Sequence, residues 1–259
     1  MEQTILIERT GAIAILTLNR PASRNALSRQ LAADLLAALT DLAREEHLRA
    51  LILTGAGDRA FCAGADLVER RTMTPAELTA HTASINAVCD ALADFPAPTI
   101  AAVRGFALAG GAELAVACDL RVAAEDAVFG YPEVKIGVFP GAGGVVRLPQ
   151  LVGAGAARDL LYTGRNVYGD EALRIGLVDR LVPSDRFLRT ARDLAEEIAA
   201  NAPLAVRAVK RALVESIGLA GPDARRAVAR HRRPLDATAD YAEGLAAFSE
   251  RRRPEFEGR

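Results

Sequence analysis

Apolar runs and helical stretches alternate along the chain as far as residue 182. The apolar runs are short and bounded by turn-forming residues, and the first two are joined at Thr10-Gly11 as in a hairpin. Strands are predicted at residues 4–9, 12–19, 49–54, 98–103, 119–123 and 176–182. Helices are predicted at residues 29–43, 74–95, 112–118, 143–151, 154–162 and 169–175. This alternation predicts an α/β fold.

Two of these helices have clear start signals. Ser28 precedes a leucine period and is expected to be its N-cap. Thr74-Pro-Ala-Glu77 combines an N-cap, a proline at the first helical position and the glutamate of a capping box. Pro96 and Pro98 are expected to end that second helix.

The pattern changes at Pro183, beyond which only helical stretches follow. They are predicted at residues 183–200, 203–217, 222–231 and 235–250. We therefore predict an α/β core with the functional site in residues 1–182 and a helical region for oligomerisation in residues 183–259. Helices with apolar faces and too little sheet to cover them need a partner surface, which favours self-association.

Composition excludes several classes of function. The 259 residues are 51% hydrophobic with a net charge of −1, so the chain can bury a large core and offers no basic surface for nucleic acid. No apolar run is long enough to span a bilayer, and the N-terminal sequence lacks the features of a signal peptide. Three cysteines without metal-ligand spacing predict reduced thiols in a cytoplasmic protein and no metal site. The histidines at 47, 81 and 231 lie in polar helical stretches and are expected to be solvated.

Candidate chemistry is concentrated in the middle of the chain. Gly110 and Gly111 open an apolar helix, where the missing side chains let a ligand approach N–H groups that have no helical partner. Glu113 lies in that first turn among apolar residues, and Glu133 follows a second apolar segment. Residues 139–144 form another Gly-rich helix start. Two acids in apolar surroundings beside free amides indicate acid–base chemistry next to an oxyanion hole.

Taken singly, the two acids have simpler interpretations, and a further glycine motif resembles a dinucleotide-binding site. Glu113 alone could be a helix-start acid stabilised by the helix dipole, and Glu133 alone could be a turn acid after a proline. Gly55-Ala-Gly57-Asp-Arg-Ala60 follows a strand and matches the dinucleotide fingerprint, but the residues after it have no helical period. The two acids together with the glycine turns form a more specific pattern than any of these alone.

Four segments carry a resemblance to a known family. They are Asn19-Arg-Pro with Asn25-Ala-Leu27, Ala60-Phe-Cys-Ala-Gly-Ala-Asp-Leu67, Gly105-Phe-Ala-Leu-Ala-Gly-Gly-Ala-Glu-Leu-Ala115 and Phe248-Ser-Glu-Arg-Arg-Arg-Pro-Glu-Phe256. In these segments the chain resembles the crotonase, or enoyl-CoA hydratase/isomerase, superfamily. The resemblance implies a crotonase-like spiral of ββα units with a helical C-terminal trimerisation region, assembled as a homotrimer or as a hexamer made of two trimers.

The resemblance also implies roles for individual residues. The backbone N–H groups of Ala65 and Gly110 would hold a thioester oxygen, and Glu113 and Glu133 match the two catalytic glutamates of the hydratases. Gly141 matches a glycine whose backbone lies beside the catalytic water. The residues implied in contacts with coenzyme A are Ala22, Arg24, Ala63, Asp66 and Leu67.

Three functions are compatible with this resemblance. The presence of both acids favours a hydratase that converts a 2-enoyl-CoA into a 3-hydroxyacyl-CoA, with coenzyme A as part of the substrate and no separate cofactor. An isomerase, which needs one glutamate and usually lacks the acid at the position of Glu113, is the first alternative. A catalytically silent protein that binds coenzyme A thioesters is the second. Many relatives have a third glycine at the position of Ala109, and the alanine would narrow the site. The length of the acyl chain and the metabolic pathway are not determined by the sequence.

Overall fold

The computed structural model describes residues 3–259, and all statements on the fold concern that part of the chain. Its strands are β1 (Ile5–Thr10), β2 (Ile13–Leu18), β3 (Ala50–Gly55), β4 (Ala60–Cys62), β5 (Thr99–Val103), β6 (Phe106–Leu108), β7 (Leu120–Ala124), β8 (Val128–Gly130), β9 (Asn166–Tyr168) and β10 (Arg180–Val182). Its helices are α1 (Arg29–Leu42), α2 (Leu67–Arg70), α3 (Pro75–Ala93), α4 (Gly110–Ala117), α5 (Gly144–Thr163), α6 (Gly169–Arg174), α7 (Phe187–Ala199), α8 (Pro203–Ser216), α9 (Gly221–Arg232) and α10 (Ala239–Glu250). Short 3-10 turns lie at Pro21–Ser23, Pro132–Ile136 and Arg233–Ala237.

Two sheets are built from a repeated β–β–α unit. In each of the pairs β3/β4, β5/β6 and β7/β8, the first strand joins a six-stranded sheet and the second joins a four-stranded sheet. The six-stranded order is β1-β2-β3-β5-β7-β10, parallel except for the β1/β2 hairpin. The four-stranded order is β4-β6-β8-β9, in which only the β8/β9 pair is antiparallel. α2 and α4 therefore begin shortly after the carboxyl ends of β4 and β6, and the 3-10 turn Pro132–Ile136 follows the carboxyl end of β8.

The larger sheet is covered on both faces. One face packs with α1, α3 and α4 into the main core, and the other face packs against α7 through Ala191, Leu194 and Ala195. The predicted boundary at residue 182 stays a prediction, and residues 1 and 2 of its first region lie outside the described residues. Because α7 covers the sheet, the part of the chain that lacks a sheet to pack on begins with α8.

The predicted cap signals agree with the structure. The Ser28 hydroxyl accepts the N–H of Leu31, and Thr74 with Glu77 forms the full capping box of α3. The predicted helices at 143–151 and 154–162 are the two halves of α5, separated by Gly153, whose backbone is not helical. No helix between residues 3 and 259 combines the length and the apolar character that a membrane crossing requires.

Candidate active site

A cavity of about 670 Å³ lies where the loop after β4, the start of α4, the face of α3 and the loop before α5 meet. Apolar residues provide most of its wall, which is typical of a small-molecule site. Seven of the residues predicted for the site line it, namely Ala63, Ala65, Leu67, Gly110, Glu113, Glu133 and Gly141. Ala22, Arg24 and Asp66 do not line it.

The amides of Ala65 and Gly110 come from two loops that touch. Leu27 donates its N–H to Gly64 and accepts that of Asp66, so the N–H of Ala65 points away from this bridge. Gly110 is the first residue of α4 and has no helical acceptor for its N–H. A Cβ on Gly64 would lie 3.2 Å from the nitrogen of Gly110, which shows how closely the two loops approach. Within residues 3–259 neither amide donates a hydrogen bond, so both are free for a ligand.

Ala109 precedes the second amide in a strained conformation. Its φ is 52° and its ψ is −127°, a region that costs an L-residue about 1–3 kcal/mol. Its own N–H donates to the carbonyl oxygen of Gly130 at 2.9 Å, which fixes the turn between β6 and α4. This hydrogen bond holds the strained turn, and with it the N–H of Gly110, in place at the start of the helix.

Glu113 is almost fully buried and is held by backbone amides. Its Oε1 accepts the N–H of Ala142 at 2.7 Å and that of Gly144 at 2.9 Å. A Cβ on Gly144 would lie 3.0 Å from Oε1, a tight contact that glycine avoids. Burial raises the pKa of the Glu113 carboxyl, while these two hydrogen bonds and the charge of Arg147 favour the ionised form.

Glu133 faces the same cavity without such support. It lies in the 3-10 turn Pro132–Ile136, and its Oε2 is buried with no hydrogen-bond partner in the described part of the chain. Burial raises the pKa of Glu133 to about 7; a hydrogen bond from its own backbone opposes this rise, and the negative charge of Glu113 adds a smaller increase. Both carboxyls therefore have raised pKa values, but only Glu113 receives hydrogen bonds from the amides of Ala142 and Gly144, which favour its anion.

Comparison with known proteins shows the family of this chain. The chain matches the profile of the family described as enoyl-CoA hydratase/isomerase over residues 8–259. The chain belongs to that family. It is 42% identical over 209 residues to the short-chain-enoyl-CoA hydratase of Clostridium acetobutylicum, covering 81% of this chain and 80% of that one. It is 39% identical over 257 residues to the crotonyl-CoA hydratase of Syntrophomonas wolfei, covering 98% of each.

The fold is that of the same family. The crystal structure of an enoyl-CoA hydratase from Bacillus anthracis superposes with a TM-score of 0.97 at 40% identity, over 99% of this chain and 100% of that one. The prediction of an α/β crotonase-like fold is confirmed, and the repeated β–β–α units are its spiral.

Three predicted residues of this family member lie outside the cavity. Ala22 and Arg24 are exposed on the turn Pro21–Ser23 and its end, and the Arg24 guanidinium lies 6.0 Å from the centre of the Phe106 ring. Asp66 is buried beneath the Ala65 loop, where it caps α2 and pairs with Arg20 at 3.0 Å. The Asp66 side chain therefore stabilises the loop after β4, whereas Ala22 and Arg24 lie on the surface.

The prediction that all three histidines are solvated is wrong for His81. It is 1% exposed, because it lies on the inner face of α3 and its Nε2 lies 2.9 Å from the carbonyl oxygen of Leu27. Burial lowers its pKa, which keeps the ring neutral. His81 lies on the buried side of α3 together with Ile85, one helical turn away. The polar residues next to His81 in sequence led to the wrong prediction.

Four other residues of the cavity region were missed. Arg70, Thr82 and Asn86 line the cavity, and the hydroxyl of Tyr131 is fully buried without a hydrogen-bond partner among residues 3–259. Burial raises the pKa of Tyr131, and the negative charges of Glu113 and Glu133 raise it further. The Tyr131 hydroxyl therefore stays protonated. Thr82 and Asn86 are one helical turn apart next to the apolar stripe of α3, a spacing that could have indicated a polar edge.

Proposed function

We propose that this chain is a hydratase that adds water across the 2,3 double bond of a 2-enoyl-CoA to give a 3-hydroxyacyl-CoA. The observation that carries the proposal is the pair of unlike carboxyls, Glu113 and Glu133, in one cavity beside two free amides. Hydration needs a carboxylate to take a proton from water and a carboxylic acid to deliver one to carbon. The opposite environments of the two side chains fit that division.

The thioester carbonyl oxygen would accept hydrogen bonds from the amides of Ala65 and Gly110. This makes Cβ electrophilic and stabilises the enolate that forms when water attacks. Loss of one such donor typically costs about 3–4 kcal/mol of transition-state stabilisation. The amides are fixed by the bridge at Leu27 and by the strained turn at Ala109, so little reorganisation is needed during the reaction.

Glu113 would act as the base and Glu133 as the acid. The Oε1 of Glu113 is occupied by two amides, which leaves Oε2 to hold the water and accept its proton. The remaining hydroxide adds to Cβ, and protonated Glu133 gives its proton to Cα. We further propose that the backbone of Gly141, which lines the cavity, contacts this water.

Coenzyme A would extend from the cavity along the loop after β4. We propose that Ala63, Asp66 and Leu67 follow its pantetheine arm, with contacts from the backbone at Asp66 because its carboxylate is engaged with Arg20. Ala22 and Arg24 would lie near the adenine end, where an exposed guanidinium suits a phosphate. No metal or further cofactor takes part in the proposed reaction, and we propose that it takes place in the cytoplasm.

Double-bond isomerisation is the second candidate. It needs one group that moves a proton between carbons, and Glu133 with a pKa of about 7 could serve alone. Hydration is preferred because the amides of Ala142 and Gly144 hold a second carboxylate in the cavity, which isomerisation does not require.

Product analysis distinguishes these functions. Purified protein is incubated with crotonyl-CoA and separately with 3-hexenoyl-CoA, and products are identified by mass and NMR. A hydratase converts crotonyl-CoA to 3-hydroxybutyryl-CoA, a gain of 18 Da from one water. Formation of only 2-hexenoyl-CoA from the second substrate would establish the isomerase, and binding without turnover of either would establish a thioester-binding protein.

A further inference from the structure

Arg70 brings a positive charge to the cavity without a matching carboxylate. It is the last residue of α2, and its half-buried side chain lines the cavity wall. Its Nε donates to Nδ1 of His81 at 3.2 Å, and its Nη2 donates to the Thr82 hydroxyl at 3.1 Å. Both partners are neutral, and no carboxylate of residues 3–259 lies within 4.0 Å of this guanidinium. Three of its five N–H groups remain free.

The acid next to Arg70 in sequence, Glu69, pairs with a different arginine. Glu69 accepts the side-chain Nε and the backbone N–H of Arg29, both at 2.9 Å, so neither of its oxygens serves Arg70. Burial lowers the pKa of the Arg70 guanidinium, and no anion offsets that cost. A partly desolvated cation that faces a ligand cavity without a counter-ion is a candidate for binding an anionic ligand group.

His81 fixes the direction of this guanidinium. Its Nε2 lies 2.9 Å from the carbonyl oxygen of Leu27, which requires the proton on Nε2 and leaves Nδ1 as an acceptor. The buried, neutral ring therefore anchors Arg70 from behind and directs the free N–H groups toward the cavity. Lys135 also lines the cavity, but it is exposed and has no comparable anchor.

Two polar side chains of α3, Thr82 and Asn86, line the same cavity as Arg70. Asn86 follows Thr82 by one turn of α3, about 6 Å along the helix axis at 1.5 Å per residue. Its Oδ1 is buried and has no partner within the described chain. Ile85 and Leu108 provide apolar wall in this cavity. An acyl chain in the cavity would thus meet apolar surface and would share the cavity with the Arg70 guanidinium.

We propose that the preferred substrate is a 2-enoyl-CoA whose acyl chain ends in a carboxylate, and that Arg70 binds this carboxylate. This inference rests on the proposed hydratase function and specifies its substrate class. A carboxylate would pair with the free N–H groups of Arg70, whereas a methyl-ended chain would leave the cation unpaired against apolar surface.

The test compares two five-carbon substrates that differ only at the chain end. Glutaconyl-CoA ends in a carboxylate, and 2-pentenoyl-CoA ends in a methyl group. We expect the wild-type protein to hydrate glutaconyl-CoA with the higher kcat/KM. Arg70→Met should lower the ratio of the two kcat/KM values roughly 10- to 100-fold, the range expected for hydrogen bonds to a charged group. Arg71→Met, at the exposed neighbouring arginine, should leave the ratio unchanged.

Three results would overturn the inference. A wild-type preference for 2-pentenoyl-CoA would contradict the substrate class. An equal loss for both substrates in Arg70→Met would assign Arg70 to coenzyme A or to the loop. If neither crotonyl-CoA nor glutaconyl-CoA is hydrated, the proposed function fails, and calorimetric binding of glutaryl-CoA against valeryl-CoA still tests the carboxylate site. Equal affinities for those two saturated thioesters would contradict it.

Discussion

At the scale of single residues, two chemically identical side chains acquire different properties from their surroundings. Glu113 is buried but receives two backbone hydrogen bonds, while Glu133 keeps a buried oxygen without a partner. The sequence predicted both acids because each follows a recognisable glycine or proline turn. It could not predict Arg70, because its role depends on Glu69 being paired with Arg29 and on a histidine from another helix.

The first prediction concerns the pH dependence of hydration. Glu133 must be protonated to act as the acid, and its pKa is raised to about 7. The value of kcat/KM for crotonyl-CoA should therefore fall as pH rises above about 7, approaching tenfold per pH unit. Rates are measured between pH 5.5 and 9, with circular dichroism at each pH to verify folding. A rate that stays constant up to pH 9 would contradict the role of Glu133 as the acid.

The second prediction concerns stability. The pKa of Glu133 is about 7 in the folded protein, above its usual 4.5, so the folded state binds this proton more tightly than the unfolded state does. The stability that this proton contributes is therefore lost as pH rises from about 4.5 to 7. Glu133→Gln removes the ionisation and should raise Tm relative to wild type by an amount that grows from pH 5 to pH 8. The difference in unfolding free energy should reach up to about 3 kcal/mol. A Tm difference independent of pH would refute the raised pKa.

At the scale of elements, local signals predicted the helices and the longer strands, and non-local pairing determined the rest. The caps at Ser28 and Thr74 act within one turn and were predicted correctly. The four strands β4, β6, β8 and β9 were missed, since each has only three residues and no alternation to detect. They exist because distant segments pair, as Ala60 does with Phe106.

The third prediction tests the contact between two of these elements. A Cβ on Gly111 would lie 2.0 Å from the carbonyl oxygen of Cys62, so any side chain forces α4 away from β4. Gly111→Ala should lower both Tm and hydration of crotonyl-CoA, because the amide of Gly110 moves with the helix. Gly155→Ala is the matched control, since a Cβ there meets no atom within 4 Å and should leave both unchanged or raise Tm slightly. Equal Tm values for the two variants would contradict this close packing.

At the scale of the whole molecule, the site depends on the spiral of repeated units, because it joins residues from consecutive units at one end of the smaller sheet. The sequence predicted the residues but neither the second sheet nor the cavity that it supports. The C-terminal helices contribute nothing to the cavity lining and carry exposed apolar residues instead. An apolar row at four-residue spacing runs along α8 and consists of Val209, Leu213 and, just after the last helical residue, Ile217. Each of these side chains is more than half exposed.

The fourth prediction is that this row is buried in a homotrimer or in a hexamer of two trimers. Light scattering at micromolar concentration should give three or six times the 27.4 kDa of one chain. Leu213→Glu should shift the protein to smaller species, because a charge in an apolar contact is costly. Arg211→Gln, at an exposed position elsewhere on α8, is the control and should keep the wild-type mass. A monomeric wild-type protein would contradict the prediction.

The most direct test of the two-glutamate hydratase is to compare Glu113→Gln and Glu133→Gln in hydration of crotonyl-CoA and in deuterium exchange at Cα of butyryl-CoA. Each variant keeps the shape of the site and removes one carboxyl. Each should lower hydration by at least about 100-fold, the usual contribution of an acid–base group. Glu113→Gln should retain exchange at Cα, whereas Glu133→Gln should abolish it. Hydration by Glu113→Gln at close to the wild-type rate would contradict the account and make isomerisation by Glu133 alone the leading hypothesis.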